Sequence, residues 1–263
     1  MTSFSDSAER IAKQLEPITM NRVWVDGYCE KHQKRYMKVI SNGWVGCPTC
    51  HTEQLHKDND IVVQQRVEKI ERQKQLGRFY ELSIMDEELE QASFDNFKTD
   101  TARQREVLKW AKSMARYYYE GGRGNVIMTG DAGRGKSHLA YSMIKALMDT
   151  QREARAAIVN VVDLLDEIKS DFEQKQFWMK SLAKLDYLVL DDLGAEKVSD
   201  WSKEVIYSIL NKRTRTIITT NLTAGELVDS YGKRIASRLL KGCPSEHIMD
   251  FAGLDDERVK LWT

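Results

Sequence analysis

Little in the bulk chemistry of this chain names a partner. Forty basic residues balance forty acidic ones, so the formal net charge is zero. Only the distribution of charge can then select a partner. No apolar run approaches the roughly 20 residues that a membrane span needs. The opening MTSFSDSAERIAKQLEP carries acids and lacks the apolar stretch of a signal peptide, so a cytoplasmic protein without membrane contact is expected. No internal repeat or low-complexity tract breaks the sequence. Cysteines are few, four in 263 residues. In a reducing compartment they serve as metal ligands or core residues rather than disulfides. Hydrophobic residues make up 41% and charged residues 30%, as in a soluble globular protein. The length suits one large domain plus a small one.

Three of the four cysteines fall on a pattern. Cys29-x2-His32 precedes Cys47-x2-Cys50. Two short-spaced ligand pairs at medium separation are what a tetrahedral zinc site needs. Gly46 and Pro48 suit a tight turn at the second pair. Between the pairs, YMKVISNGWVG reads as a hairpin about Asn42-Gly43, so the layout is that of a zinc ribbon. His51 is a competing ligand but breaks the paired spacing. Four protein ligands leave no open position, so the site would be structural and would build a docking surface. Lys31, Lys34, Arg35, Lys38, Tyr36 and Trp44 decorate it, as a nucleic-acid face, an acidic-protein face or simply a solvated basic surface.

After the ribbon, Val63, Val67 and Ile70 form a narrow stripe with helical spacing among charges. This reads as a linking or partner-binding helix. The domain boundary is expected between residues 76 and 93, and a helix from Thr99 to Tyr119 ends at the glycines of GGRG. From there strands at 125–129, 157–161, 186–190 and 215–220 alternate with helical sequence, such as 136–149 and the stretch to about 183. That alternation predicts an α/β fold, a parallel sheet covered on both faces.

GDAGRGKS spans Gly130, Asp131, Ala132, Gly133, Arg134, Gly135, Lys136 and Ser137, with His138 next. It fits G-x-x-x-x-G-K-[ST] between a strand and a helix, the context a phosphate-binding loop requires. Glycine lets backbone N–H groups turn toward phosphate, and the helix start adds its positive end. Lys136 would reach the β and γ phosphates of ATP, and the Ser137 hydroxyl would ligate Mg²⁺. In LVLDDLG, a strand ends in Asp191 and Asp192 at the sheet edge where such folds bind ligands. Asp191 would hold Mg²⁺ through water and Asp192 would orient or deprotonate the attacking water, with Glu196 a looser alternative. Asn221 ends the next strand, either holding that water or serving as a turn or helix-cap residue. Arg234 and Arg238 lie four apart on one helical face. Residues 205–241 hold seven Lys/Arg against two acids. An arginine there would stabilise transition-state charge, in cis or from a neighbouring subunit; the ordinary alternative is a solvated basic helix.

GDAGRGKS, LVLDDLGAE, ITTN and GKRIASRLL, in this order and spacing, resemble the DnaC/DnaI-type replicative helicase loaders. SFDNF before the first core helix and the Cys/His ribbon resemble that family too. The resemblance implies an AAA+ core with strand order 5-1-4-3-2, ATP-controlled binding of single-stranded DNA, and self-association when ATP is bound. It also implies an N-terminal zinc domain that grips a hexameric replicative helicase. It assigns Lys136 and Ser137 to Walker A, Asp191 and Asp192 to Walker B, Asn221 to sensor 1, Arg238 to a trans-acting finger and Arg258 to sensor 2. The domains expected are 1–57 for the zinc-binding region, 58–93 for a helical linker and 94–263 for the ATPase. Two departures stand out. Asp192 replaces the glutamate common in AAA+ proteins, and with Thr263 the last residue a separate helical lid is not expected, so a neighbouring subunit is expected to complete the nucleotide pocket. Rival readings are an IstB-type transposition helper ATPase acting on duplex DNA, a P-loop small-molecule kinase, and a DNA-binding module that holds nucleotide as a prop.

Overall fold

The computed structural model describes residues 21–256. The chain divides into two compact units, residues 1–70 and 71–263. In the first unit, strands β1 (Arg22–Cys29), β2 (Lys34–Val39) and β3 (Val45–Gly46) form an antiparallel sheet in that order. The hairpin between β2 and β3 closes where Gly43 takes φ +72° and its N–H donates to the Val39 carbonyl at 2.9 Å. Helix α1 (Pro48–Glu81) begins inside the second cysteine pair. Pro48 therefore serves as a helix start rather than a turn residue, a position where its missing N–H costs nothing. The sequence does not announce β1, whose pairing with β2 shifts register between Val25 and Tyr28 and so breaks a regular alternation.

The second unit holds helix α2 (Ala102–Tyr119), β4 (Gly124–Thr129), α3 (Lys136–Thr150), β5 (Ala156–Asn160), α4 (Val161–Ser170) and α5 (Phe172–Ala183). There follow β6 (Tyr187–Leu193), α6 (Asp200–Asn211), β7 (Arg215–Thr220), α7 (Ala224–Leu239) and β8 (Ile248–Asp250). The strands pair in parallel in the order β5-β6-β7-β4-β8. Numbered within the sheet from β4, this is the 5-1-4-3-2 order that the resemblance implies.

Strand side chains alternate between faces, and the core divides accordingly. Val126, Met128, Ile158, Val189 and Ile217 bury against α2 and α3. Their neighbours Ile127, Ala157, Val159, Leu188, Leu190 and Ile218 bury against α4 to α7. The helical stretch to 183 is two helices, because Asp171 is extended and its carboxylate caps α5 through the Glu173 N–H at 2.9 Å. Thr101 and Gln104 form a reciprocal capping box at the start of α2, as do Thr223 and Glu226 at α7.

The edge of β5 is met by Ile84, whose N–H donates to the Ile158 carbonyl at 2.9 Å and whose carbonyl accepts from the Asn160 N–H at 2.7 Å. At the start of β4, Gly124 takes φ +119°, and a Cβ there would lie 1.7 Å from the Gly242 carbonyl oxygen. Only glycine fits, since both the dihedral and the close backbone approach exclude a side chain.

Candidate nucleotide site and metal centre

β4 delivers the loop 130–135 to the C-terminal edge of the sheet, and α3 starts at Lys136. Gly135 caps this helix with φ +82°, and a Cβ on it would meet the Phe97 ring at 2.8 Å. The loop thus needs glycine for its handedness and for the aromatic ring beside it. Lys136 is buried. Its ammonium donates to the carbonyls of Gly130 at 2.6 Å and Asp131 at 2.7 Å, and to Asn221 Oδ1 at 2.8 Å. Burial lowers its pKa, against the pull of Asp192, Asp191 and Asp131. Asn221 therefore meets the lysine, while Thr223 is the cap of α7. Of the roles left open for Asn221, the helix cap is thus taken by Thr223.

β6 carries Asp191 to the same edge, buried to 6% exposure. Burial pushes its carboxyl up to about 6, opposed by hydrogen bonds from Thr219 and Ser137. Thr219 donates to Asp191 Oδ1 at 2.6 Å and accepts from the Asp192 N–H at 2.9 Å. Asp192 is half-buried and left-handed, with φ +55°. Sequence reasoning missed Thr219: its role depends on the register of β7 against β6, which no local pattern reveals. Glu196 is buried too, accepting from the Gly194 N–H at 2.8 Å and from the Tyr231 hydroxyl. The first contact ties it into the turn after β6 and the second to α7.

Arg134 donates to Asp131 Oδ2 at 2.5 Å and to the Leu254 carbonyl. His138 lies 2.8 Å from the Ser93 carbonyl and edge-on to Phe97. Phe97, Gln104, Arg134, His138 and Leu254 line a hollow of about 180 Å³ beside the loop. A larger groove, about 910 Å³, lies among Arg78, Gln151, Arg155 and Arg215 and contains none of the motif residues. Arg234 and Arg238 stand over the Tyr207 ring, 3.8 and 5.7 Å from its centroid. Among the described residues no hydrogen bond or ion pair joins either arginine to the loop. Arg258 lies outside the described residues. Cys243 is a half-buried thiol against the α4–α7 core, and burial raises it to about 11.

The raised Asp191 carboxyl has a consequence for stability. A buried acid shifted upward opposes folding once it must ionise. Its contribution is fully present below the ordinary value of 3.8 and is lost as pH rises through about 6. Asp191→Asn removes that loss. At pH 8 without nucleotide, the thermal midpoint should rise by roughly 5 °C. The gain should shrink as pH falls through 6 and vanish near 4. Calorimetry across this range checks it, and a gain independent of pH would contradict it.

In the first unit, the ligand atoms of Cys29, His32, Cys47 and Cys50 all lie within 4.8 Å of one another. Cys29 and Cys50 sulfurs are 3.7 Å apart, and His32 Nδ1 lies 3.7, 3.2 and 3.6 Å from the sulfurs of Cys29, Cys50 and Cys47. A tetrahedron with metal–sulfur bonds of about 2.3 Å has edges of roughly 3.8 Å. Three thiols and one imidazole at these separations fit Zn²⁺. Burial pushes the Cys47 thiol up, but backbone N–H groups of Cys50 and Thr49 at the start of α1 bring it down to about 6. Burial and the neighbouring thiols hold Cys50 near 11. His51 stacks edge-on against Trp44, ring centroids 4.3 Å apart, and is not among the converging ligands.

The IstB-like ATP binding protein family matches residues 53–241. The chain belongs to this family. Its phosphate loop, both strand-end aspartates, Asn221 and the paired arginines all fall inside the matched region. This IstB-like chain is 29% identical over 161 residues to the replicative helicase loader DnaC of Escherichia coli K12, covering 57% of this chain and 63% of that protein. A crystal structure of the DnaC helicase loader superposes with a TM-score of 0.54 at 25% identity, over 63% of this chain and 98% of that one. A crystal structure of DnaI gives 0.55 at 21% identity, over 66% and 95%, a likeness of fold. The α/β sheet is thus the AAA+ core of these loaders. Among the described residues no helix is long and apolar enough to cross a membrane.

Proposed function

We propose that this protein is a cytoplasmic, ATP-dependent helicase loader, binding a hexameric replicative helicase and delivering it onto single-stranded DNA. One observation carries the reading: a cradle with Lys136, Asn221, Asp191 and Ser137 gathered at one sheet edge, within a chain that resembles DnaC over nearly all of a solved loader structure. Residues 1–57 would form the zinc domain that grips the helicase, 58–93 the linker and 94–263 the ATPase.

Within the ATPase, the loop from Gly130 to Ser137 would cradle the triphosphate. The hollow beside Phe97 and His138 offers an aromatic lining against which a purine base would pack. Ser137 and Asp191 would hold Mg²⁺, which supplies charge neutralisation at the β and γ oxygens. Asp192 is the base this reading favours, since the Glu196 carboxylate is already taken by the Gly194 N–H and the Tyr231 hydroxyl. Arg238 would act on nucleotide held by a neighbouring copy, with Arg258 as sensor 2. Zn²⁺ at the thiol cluster would be structural.

A second reading, prompted by the match to the IstB-like ATP binding proteins, is a transposition helper that would act on duplex DNA. One experiment separates the two. The purified protein is mixed with ring helicases, with and without ATP and single-stranded DNA, and the complexes are weighed by native mass spectrometry. A loader forms a defined complex with a helicase hexamer, and ATP with single-stranded DNA changes its composition. ATP-dependent binding to duplex DNA with no helicase complex would reverse the choice.

A further inference from the structure

We infer that Glu53 fixes His32 as a metal ligand, and that Lys31 holds Glu53 in place for it. The inference rests on the zinc reading of the thiol cluster. An imidazole has two nitrogens, and only one can face the metal. His32 turns Nδ1 toward the three sulfurs. Its Nε2 lies 2.9 Å from Glu53 Oε1, and the other carboxylate oxygen accepts from Lys31 Nζ at 2.6 Å. With its proton on Nε2, the neutral ring donates to the carboxylate and leaves the Nδ1 lone pair for a cation. A carboxylate behind a ligating histidine selects this tautomer, locks the ring plane and raises the basicity of the ligating nitrogen.

The local fold makes the arrangement economical. Cys50 and Glu53 are three residues apart on α1 and share a helix face. One helical turn thus supplies both a ligand and the anchor for a ligand on another segment. On that segment, the Gln33 N–H donates to the Cys29 carbonyl at 2.8 Å, and Gln33 takes φ +52°. This tight turn sets Lys31 and His32 side by side, so each reaches one oxygen of the same carboxylate. Glu53 and Lys31 are largely exposed, at 43% and 66% of their side chains, while His32 is at 14%. A surface ion pair of that kind contributes little by itself. What the chain of contacts adds is orientation of the half-buried imidazole.

The test uses the full-length protein and reads zinc affinity by competition with a chromophoric chelator. Glu53→Ala should weaken zinc about tenfold, within the range for lost anchors of ligating histidines. Glu53→Gln, whose amide oxygen still accepts from Nε2–H, should recover most of that loss, and Lys31→Ala should change affinity less than Glu53→Ala. Long-range ¹H–¹⁵N spectra of the imidazole give a second readout that mere loss of helix stability would not move. The wild type should show protonated Nε2 and metal-bound Nδ1, with the Nε2 proton exchanging faster in Glu53→Ala. Wild-type protein that binds zinc, alongside Glu53→Ala that binds it within twofold, overturns this inference and leaves the zinc reading standing. Wild-type protein that takes up no zinc overturns both.

Discussion

Replacing Lys136 by alanine should reduce ATP turnover by about 10² to 10³-fold, the loss typical of removing a preorganised group that meets developing charge. The ammonium is buried, and its partners are two loop carbonyls and the Asn221 amide oxygen rather than a carboxylate. A cation held that way is incompletely compensated, as its lowered pKa reflects. It is therefore poised to gain from an anion. Triphosphate oxygens supply the missing negative charge, and desolvation strengthens the attraction. The alanine variant loses this gain without losing a structural ion pair, so its thermal midpoint without nucleotide should change little. Titration with a fluorescent ATP analogue and a phosphate-release assay check both halves. Turnover within tenfold of wild type would sink the assignment of the loop.

The second large effect is expected at the other end of the chain. Cys47→Ser combined with Cys50→Ser should take zinc content from one per chain to none. It should erase amide protection in β1 to β3 and abolish helicase binding, with ATP affinity unchanged. Among the described residues of the first unit, the only buried apolar side chains are Cys29 and Cys47. Val25, Tyr36, Met37, Val39 and Trp44 are only half-buried. A sheet with so little apolar burial cannot offset the entropy of ordering its chain. On the zinc proposal, an ion at the thiol cluster would serve as the core, and its binding energy would be folding energy. Elemental analysis, hydrogen exchange and a helicase pull-down read the three outcomes. Retained protection in β1 to β3 without metal would show that the sheet stands by itself.

The parts of this molecule that sequence reveals are those fixed by neighbours along the chain. The phosphate loop is legible because glycine, lysine and serine sit at set offsets between a strand and an amphipathic helix. The cysteine pairs are legible because a ligand pair must come from one turn. The alternating burial of β4 to β7 follows from continuous apolar runs. What escaped depends on contacts across long separations. Thr219 meets Asp191 only once β7 has paired with β6, and Glu53 meets His32 only once α1 starts at Pro48. β8 is three residues with a half-exposed pattern, too short for any periodicity. The contact between Asn221 and Lys136 likewise joins residues far apart in the chain.

Ile84 has a wider bearing. An open parallel sheet invites another chain to continue it, and nature guards against such growth by blunting the outermost strand. Here the chain's own Ile84 occupies the hydrogen-bonding groups beside Val159 that an incoming strand would need, and β8 at the far side is only three residues long. Copies of this protein that come together are thus steered away from fusing their sheets. Any contact between copies would then run through side chains, and salt would loosen it.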